Sequence, residues 1–180
     1  MKNKILIILF SVFLTNFGFA QKLVCRDGQV KFLASVPTAI EEVAANNTSV
    51  SAVLDSKTGD VAAQALIKSF KFKVPLMEEH FNENYLESDK FPKATFKGKV
   101  LNFDASKVTA TKSNATVEGD FTMHGVTKHI KIPATVSKAG NKINVTSTFT
   151  IKAQEYNIKI PSLVKQKVAD DIKVWVNFNF

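Results

Sequence analysis

The stretch Ala115-Thr116-Val117-Glu118-Gly119-Asp120-Phe121-Thr122-Met123-His124-Gly125-Val126-Thr127-Lys128-His129-Ile130-Lys131-Ile132-Pro133-Ala134-Thr135-Val136 decides the fold. Polar and apolar residues alternate with a period of two on both sides of Gly125, as they do in half-buried strands. Ala115 to His124 and Thr127 to Val136 therefore read as a hairpin, with Gly125 placed where the tight turn needs a permissive residue. Lys131 stands between Ile130 and Ile132, so one face is wet and the other dry.

The same pattern extends in both directions. Toward the C-terminus, the Gly140-Asn141 pair marks a second turn, followed by strands over Lys142 to Ala153 and Ile172 to Phe180. Toward the N-terminus, strands are predicted over Ala94 to Phe103, Lys107 to Thr111, Val61 to Val74 and Ser49 to Leu54. Residues 55–60 form a turn by composition. Val30, Phe32, Ala34 and Val36 point one way, and Lys31, Leu33 and Ser35 the other. Thr38 to Ala45 is read as a short segment of one or two helical turns. The alternation breaks at Pro75. Met77, Phe81 and Tyr85 recur every four residues, which predicts one inserted short helix over about 76–87, opened by a proline and an acidic first turn. About eight antiparallel strands with a single helix make an all-β, closed antiparallel barrel, since closure removes the exposed strand edges.

Composition narrows the class. The 180 residues carry a formal charge of +8, and fifteen phenylalanines stand against two tyrosines and one tryptophan. Residues 1–20 read as a cleaved signal peptide: Lys2 and Lys4, an apolar run from Ile5 to Leu14, then Gly18-Phe19-Ala20. That apolar run is too short for a spanning helix. Cleavage after Ala20 leaves a domain of residues 21–180 in the periplasm or secreted, at a charge of +6 once both signal lysines are gone. The residues before Cys25 (Lys22-Leu23-Val24) do not make a lipidation site. One cysteine cannot form an internal disulfide, so packing must hold the fold. The lysines are dispersed and Arg26 is the sole arginine, which argues against nucleic-acid binding and leaves room for transient contact with an anionic membrane surface.

Parity places Phe32, Phe70, Phe72, Phe96, Phe121, Met123 and Phe149 on the inward face, and the helix adds Met77, Phe81 and Tyr85. These ten are the candidate ligand-binding residues. An eight-stranded barrel can be filled by side chains or hold one small ligand, and this pattern suits either.

Two motifs carry a family likeness. The passage from His80 through Phe91-Pro92 to Gly98 resembles the helix-to-strand passage of the YceI-like proteins. Gly119 to Lys128, with Met123-His124-Gly125 followed by Thr127-Lys128 and then Pro133, resembles that family's hairpin. The resemblance covers residues 21–180. It implies a lipocalin-like barrel, exported in bacteria, whose apolar tunnel holds a polyisoprenoid or other long-chain lipid, and it brings no catalytic residue. The chain departs from the family in reading Asn84-Tyr85-Leu86-Glu87 at the helix end and in lacking an Arg-Asp pair before the helix, which bears on the pocket mouth.

The polar residues offer little to set against this. His80, His124 and His129 lack metal-binding spacing, and nothing in the chain asks for a cofactor. Ser51, Ser69 and Ser88 lack a glycine elbow, and Cys25 has no histidine near it in sequence. The pairs Glu41-Glu42, Glu78-Glu79 and Asp170-Asp171 are adjacent residues that point apart. Three alternatives stand beside the lipid carrier. One is a small enzyme using His80 or His124, and another is a filled barrel that binds a protein partner. The third is an outer-membrane barrel, suggested by the terminal row Ile172, Val174, Val176, Phe178 and Phe180. The scarcity of Tyr and Trp for interfacial girdles counts against the third.

Overall fold

The computed structural model describes residues 22–180, and the segment read as a signal peptide lies outside them. Nine strands are present: β1 (Lys22–Ser35), β2 (Ala44–Asp55), β3 (Asp60–Leu66), β4 (Lys71–Phe72), β5 (Lys93–Val100), β6 (Ser113–Met123), β7 (Val126–Ala139), β8 (Lys142–Lys152) and β9 (Val168–Asn179). Eight of them form a ring in the order β1-β9-β8-β7-β6-β5-β3-β2, and β2 pairs back onto β1. Every pairing is antiparallel. The two-residue β4 flanks β2, with Ala45 opposite Phe72. The closed eight-stranded antiparallel barrel with one short helix is the architecture the alternation predicts.

Turn chemistry sets the register. The β6–β7 hairpin runs without a shift from Ser113 opposite Val136 to Met123 opposite Val126. Its two turn residues, His124 at φ 50° and Gly125 at φ 76°, both adopt left-handed backbone. That is the geometry whose twist matches the flanking strands. In the β2–β3 turn, the Asp55 carboxylate accepts from the amides of Lys57 (2.9 Å) and Thr58 (3.1 Å).

Three expected elements differ. Residues 38–45 form no helix. Ala39 N donates to Val36 O (3.0 Å) and Ala34 N to Val43 O (2.8 Å), so the segment turns directly between neighbouring strands and leaves no length for helical turns. Val61 to Val74 is not one strand, because β3 loses its partner once Leu66 has paired with Lys93. A single turn at Ile67–Ser69 then carries the chain over the barrel rim to β4. Lys107 to Thr111 is not a strand either. The Asp104 carboxylate caps a turn at Ala105–Lys107 through Ser106 N (3.0 Å). The loop brings Phe103, Ala105 and Val108 against the core.

The helix α1 (Pro75–His80) starts on proline and passes into a wider π turn at Phe81–Tyr85. Glu78 fastens it to the barrel by accepting from Phe72 N (3.2 Å) and pairing with Lys71 (2.5 Å). The Lys71 contact, with that amide bond behind it, holds the Glu78 carboxyl below its ordinary range.

Candidate functional site

Inside the ring, β3, β5 and β6 supply small residues beside large ones. Ala63 and Ala65 face the interior from β3, opposite Phe96 and Ala94. Gly98 and Gly119 oppose each other between β5 and β6. A methyl on Gly119 would stand 2.3 Å from Lys97 O, and one on Gly98 would stand 2.7 Å from the tip of the Phe96 ring. These glycines let two backbones close up, and Gly98 leaves room for the tip of the Phe96 ring. What remains is a cavity of about 190 Å³.

The wall carries no charged residue. Its polar members are Gln64, Thr95 and Ser147, and the Ser147 hydroxyl is satisfied by the Pro133 carbonyl (2.6 Å). An apolar space of this kind has no partners to offer water and suits hydrocarbon. Near the helix it is bounded by an aromatic group: Phe81 stacks on Phe32 (5.4 Å between centroids) and meets Phe70 (5.8 Å) and Phe72 (5.1 Å).

Of the ten candidate residues, Phe32, Phe70, Phe81, Phe96, Phe121, Met123 and Phe149 lie on the cavity wall. Phe72 packs behind Phe32 and Phe81 instead. Tyr85 rests against a second apolar cluster around Tyr156, and Met77 lies away from the wall. For Tyr85 the reason is the π turn. In an α-helix the residue stacked on Phe81 would be Tyr85, but here Leu86 N donates to Phe81 O (2.9 Å), a five-residue step. Leu86 is thereby turned inward, 5% exposed and on the wall.

Other wall residues were not among the candidates: Leu54 and Ile67, which are nearly inaccessible, and Ile158 beyond the end of β8. The terminal row Ile172, Val174, Val176, Phe178 and Phe180 also lines the interior. That row was legible from parity, and its direction bears on the outer-membrane alternative. Apolar residues face in, while the outer surface of β5, β6 and β7 carries Lys97, Asp120 and His129 in one row and Lys99, Glu118 and Lys131 in the next. A membrane-spanning barrel needs the reverse.

The histidines separate. His80 is exposed on α1. His129 sits on the outer face, bonded to Asp120 (2.8 Å) and Glu118 (3.3 Å). Asp120 foremost, then Glu118, raises its pKa. His124 is packed edge-on against Phe91 (4.7 Å). One ring nitrogen faces Tyr156 O (2.9 Å) and the other the Glu87 carboxylate (2.9 Å). Nδ1 must donate to the carbonyl, so the ring ties the hairpin turn to the helix end and to the turn at Ala153–Tyr156. Cys25 is 1% exposed on β1, 3.6 Å from an Asp27 oxygen. Among the described residues no three His, Cys, Asp or Glu side chains are grouped to hold a metal.

A family model described as a YceI-like domain matches residues 23–180. A UPF0312 protein of Pseudomonas putida (strain GB-1) is 33% identical over 97 residues, covering 51% of this chain and 47% of that protein. Its counterpart in strain W619 is 32% identical over the same length. The matched part of the chain thus spans about half the length of these curated relatives. Among solved structures, a polyisoprenoid binding domain from Saccharophagus degradans superposes with a TM-score of 0.72 at 16% identity, covering 86% of this chain and 94% of that one. BcnA of Burkholderia cenocepacia gives 0.69 at 17% identity, covering 85% and 96%. At these identities the likeness is one of fold.

Proposed function

The chain belongs to the YceI-like family, and on that premise we propose that its barrel holds the hydrocarbon chain of a long apolar lipid, a polyisoprenoid or a similar molecule, as a carrier or sequestering protein and not as an enzyme. The observation that carries this reading is the continuous, uncharged cavity lined by Phe32, Phe70, Phe81, Phe96, Phe121 and Phe149. A prenyl chain has no strong polar handle, so its affinity must come from buried area at ~25 cal/mol per Å², less the cost of ordering it. The structural neighbour described as a polyisoprenoid binding domain supports this choice of ligand class. The basic start, apolar run and small-residue close of residues 1–20 support export to the periplasm or beyond.

Size adds a condition. A dry apolar cavity of ~150 Å³ accepts one benzene, so about 190 Å³ holds only a short piece of a prenyl chain. A longer ligand must displace side chains. The Phe32–Phe81 group at the helix end is suited to this, because Phe81 sits on a short helix and not on a barrel strand.

The test is to fill the space. Ala63→Phe projects a benzyl group into the cavity from β3. The wild type is expected to release a bound fluorescent fatty acid to octaprenyl alcohol, and a folded A63F protein is expected to lose that displacement. Wild-type affinity in folded A63F would place the ligand outside the barrel. Ile132→Phe, from β7, repeats the test should A63F not fold.

A further inference from the structure

Three segments leave the barrel side by side at one rim. Val36 N donates to Lys167 O (3.1 Å), and Ser35 is paired with Val168, which places the loop 36–43 next to the loop 157–167. Beyond the first of these, the pairing of Ala45 with Phe72 brings 73–76 alongside. Lys73 reaches Glu42 at 3.9 Å across that junction. Each segment ends in an apolar side chain held out to solvent: Ile40 at 107% relative exposure, Leu163 at 92% and Leu76 at 56%. Ile40 and Leu163 are almost wholly exposed.

The charges on this rim are uneven. Residues 157–167 carry Lys159, Lys165 and Lys167 and no acidic residue. The acidic side chains nearby are Glu41 and Glu42 of loop 36–43, the second countered by Lys73, and Asp170 and Asp171 of β9, which border the same hollow as Lys152 and Lys165; the excess of positive charge lies in loop 157–167 itself. The basic loop also reaches inward, since Ile158, 6% exposed, lines the cavity. One loop therefore forms part of the interior wall at one end and an exposed leucine among lysines at the other.

We propose that this rim docks on an anionic lipid bilayer, with Leu163 and Ile40 inserted at the level of the headgroups and Lys159, Lys165 and Lys167 on the lipid phosphates. An isolated apolar tip set among lysines, as Leu163 is, suits a fluid anionic interface, whereas a protein partner calls for one contiguous apolar patch. The purpose of the contact rests on the lipid-carrier reading, because it would set the cavity's Ile158 end against the membrane that supplies the cargo.

The experiment is sedimentation of the purified protein with vesicles of phosphatidylcholine alone, or of equal parts phosphatidylcholine and phosphatidylglycerol. Binding is expected only to the anionic vesicles and is expected to weaken as salt rises. Lys165→Gln with Lys167→Gln should lower it by roughly tenfold or more, and Leu163→Ser should also weaken it. All these positions are exposed, so the variants should keep the wild-type melting temperature and octaprenyl displacement. Absence of binding by the wild type, or equal binding by the variants, overturns the proposal. So does self-association abolished by Leu163→Ser without vesicle binding, which would make the rim an interface between copies. Vesicle binding without octaprenyl displacement would sink the carrier reading and leave the docking surface standing.

Discussion

Replacing Phe81 by alanine should weaken the fold and open the cavity together. Phe81 makes three ring contacts, at 5.4 Å to Phe32, 5.8 Å to Phe70 and 5.1 Å to Phe72. Truncating a fully buried phenylalanine costs about 3–5 kcal/mol. Phe81 is half-buried, and part of its area already borders empty space, so a loss of about 2–3 kcal/mol is expected. In a domain of this size that is roughly 5–10 °C in melting temperature. The change should appear as a lower urea midpoint at an unchanged slope, because the barrel itself stays closed. Removing the ring also removes what a long chain must push aside, so release of a bound fatty-acid probe in stopped flow should quicken severalfold. A loss below about 1 kcal/mol with unaltered release kinetics would refute the reasoning. Phe81 would then neither hold the helix down nor guard the cavity.

Other expectations follow from particular contacts. Gly119→Ala places a methyl 2.3 Å from Lys97 O and must part β5 from β6, so a loss of at least about 2 kcal/mol is expected in urea unfolding. A neutral outcome would mean that the two strands are not so closely apposed. On the outer face, the pKa of His129 is raised from 6.5 by Asp120 and Glu118. Its ion pairs therefore add stability that is complete below the unfolded value and lost as pH rises through the raised folded one. Glu118 is lowered from 4.5, first by His129 and then by Lys131, so its contribution is present above 4.5 and fades as pH falls through the folded value. His129→Gln should flatten the melting-temperature profile on the alkaline side. The difference should be small and should vanish at high salt, as for any exposed pair. A large, salt-insensitive difference would contradict this.

The parts legible in the sequence were those governed by a period of two. Hairpins with short turns keep parity unbroken, so Phe96, Phe121, Met123, Phe149 and the β9 row could be assigned an inward direction from spacing alone. Parity failed where the chain left the sheet. Phe70 and Phe72 were read as neighbours on one strand, yet the turn at Ile67–Ser69 separates them from β3, and only Phe70 reaches the wall. Leu86 replaced Tyr85 because the helix switched from a four-residue to a five-residue step, for which no residue of Phe81-Asn82-Glu83-Asn84-Tyr85 is a recognised signal. Ile158 lies beyond the end of β8, where the short alternation Ile158-Lys159-Ile160 belongs to no strand. The space is bordered by the small Ala63 and Ala65, and small residues signal room only once their strands are known to be neighbours.

The most direct test of the lipid-carrier reading is native mass spectrometry of the protein exported from a bacterial host, followed by organic extraction of whatever is bound. A discrete added mass that extracts as a prenyl or acyl lipid, and is absent from folded A63F, is the predicted result. A clean unliganded mass that does not change when octaprenyl or undecaprenyl lipid is added would contradict it and leave the barrel as a scaffold for a protein partner.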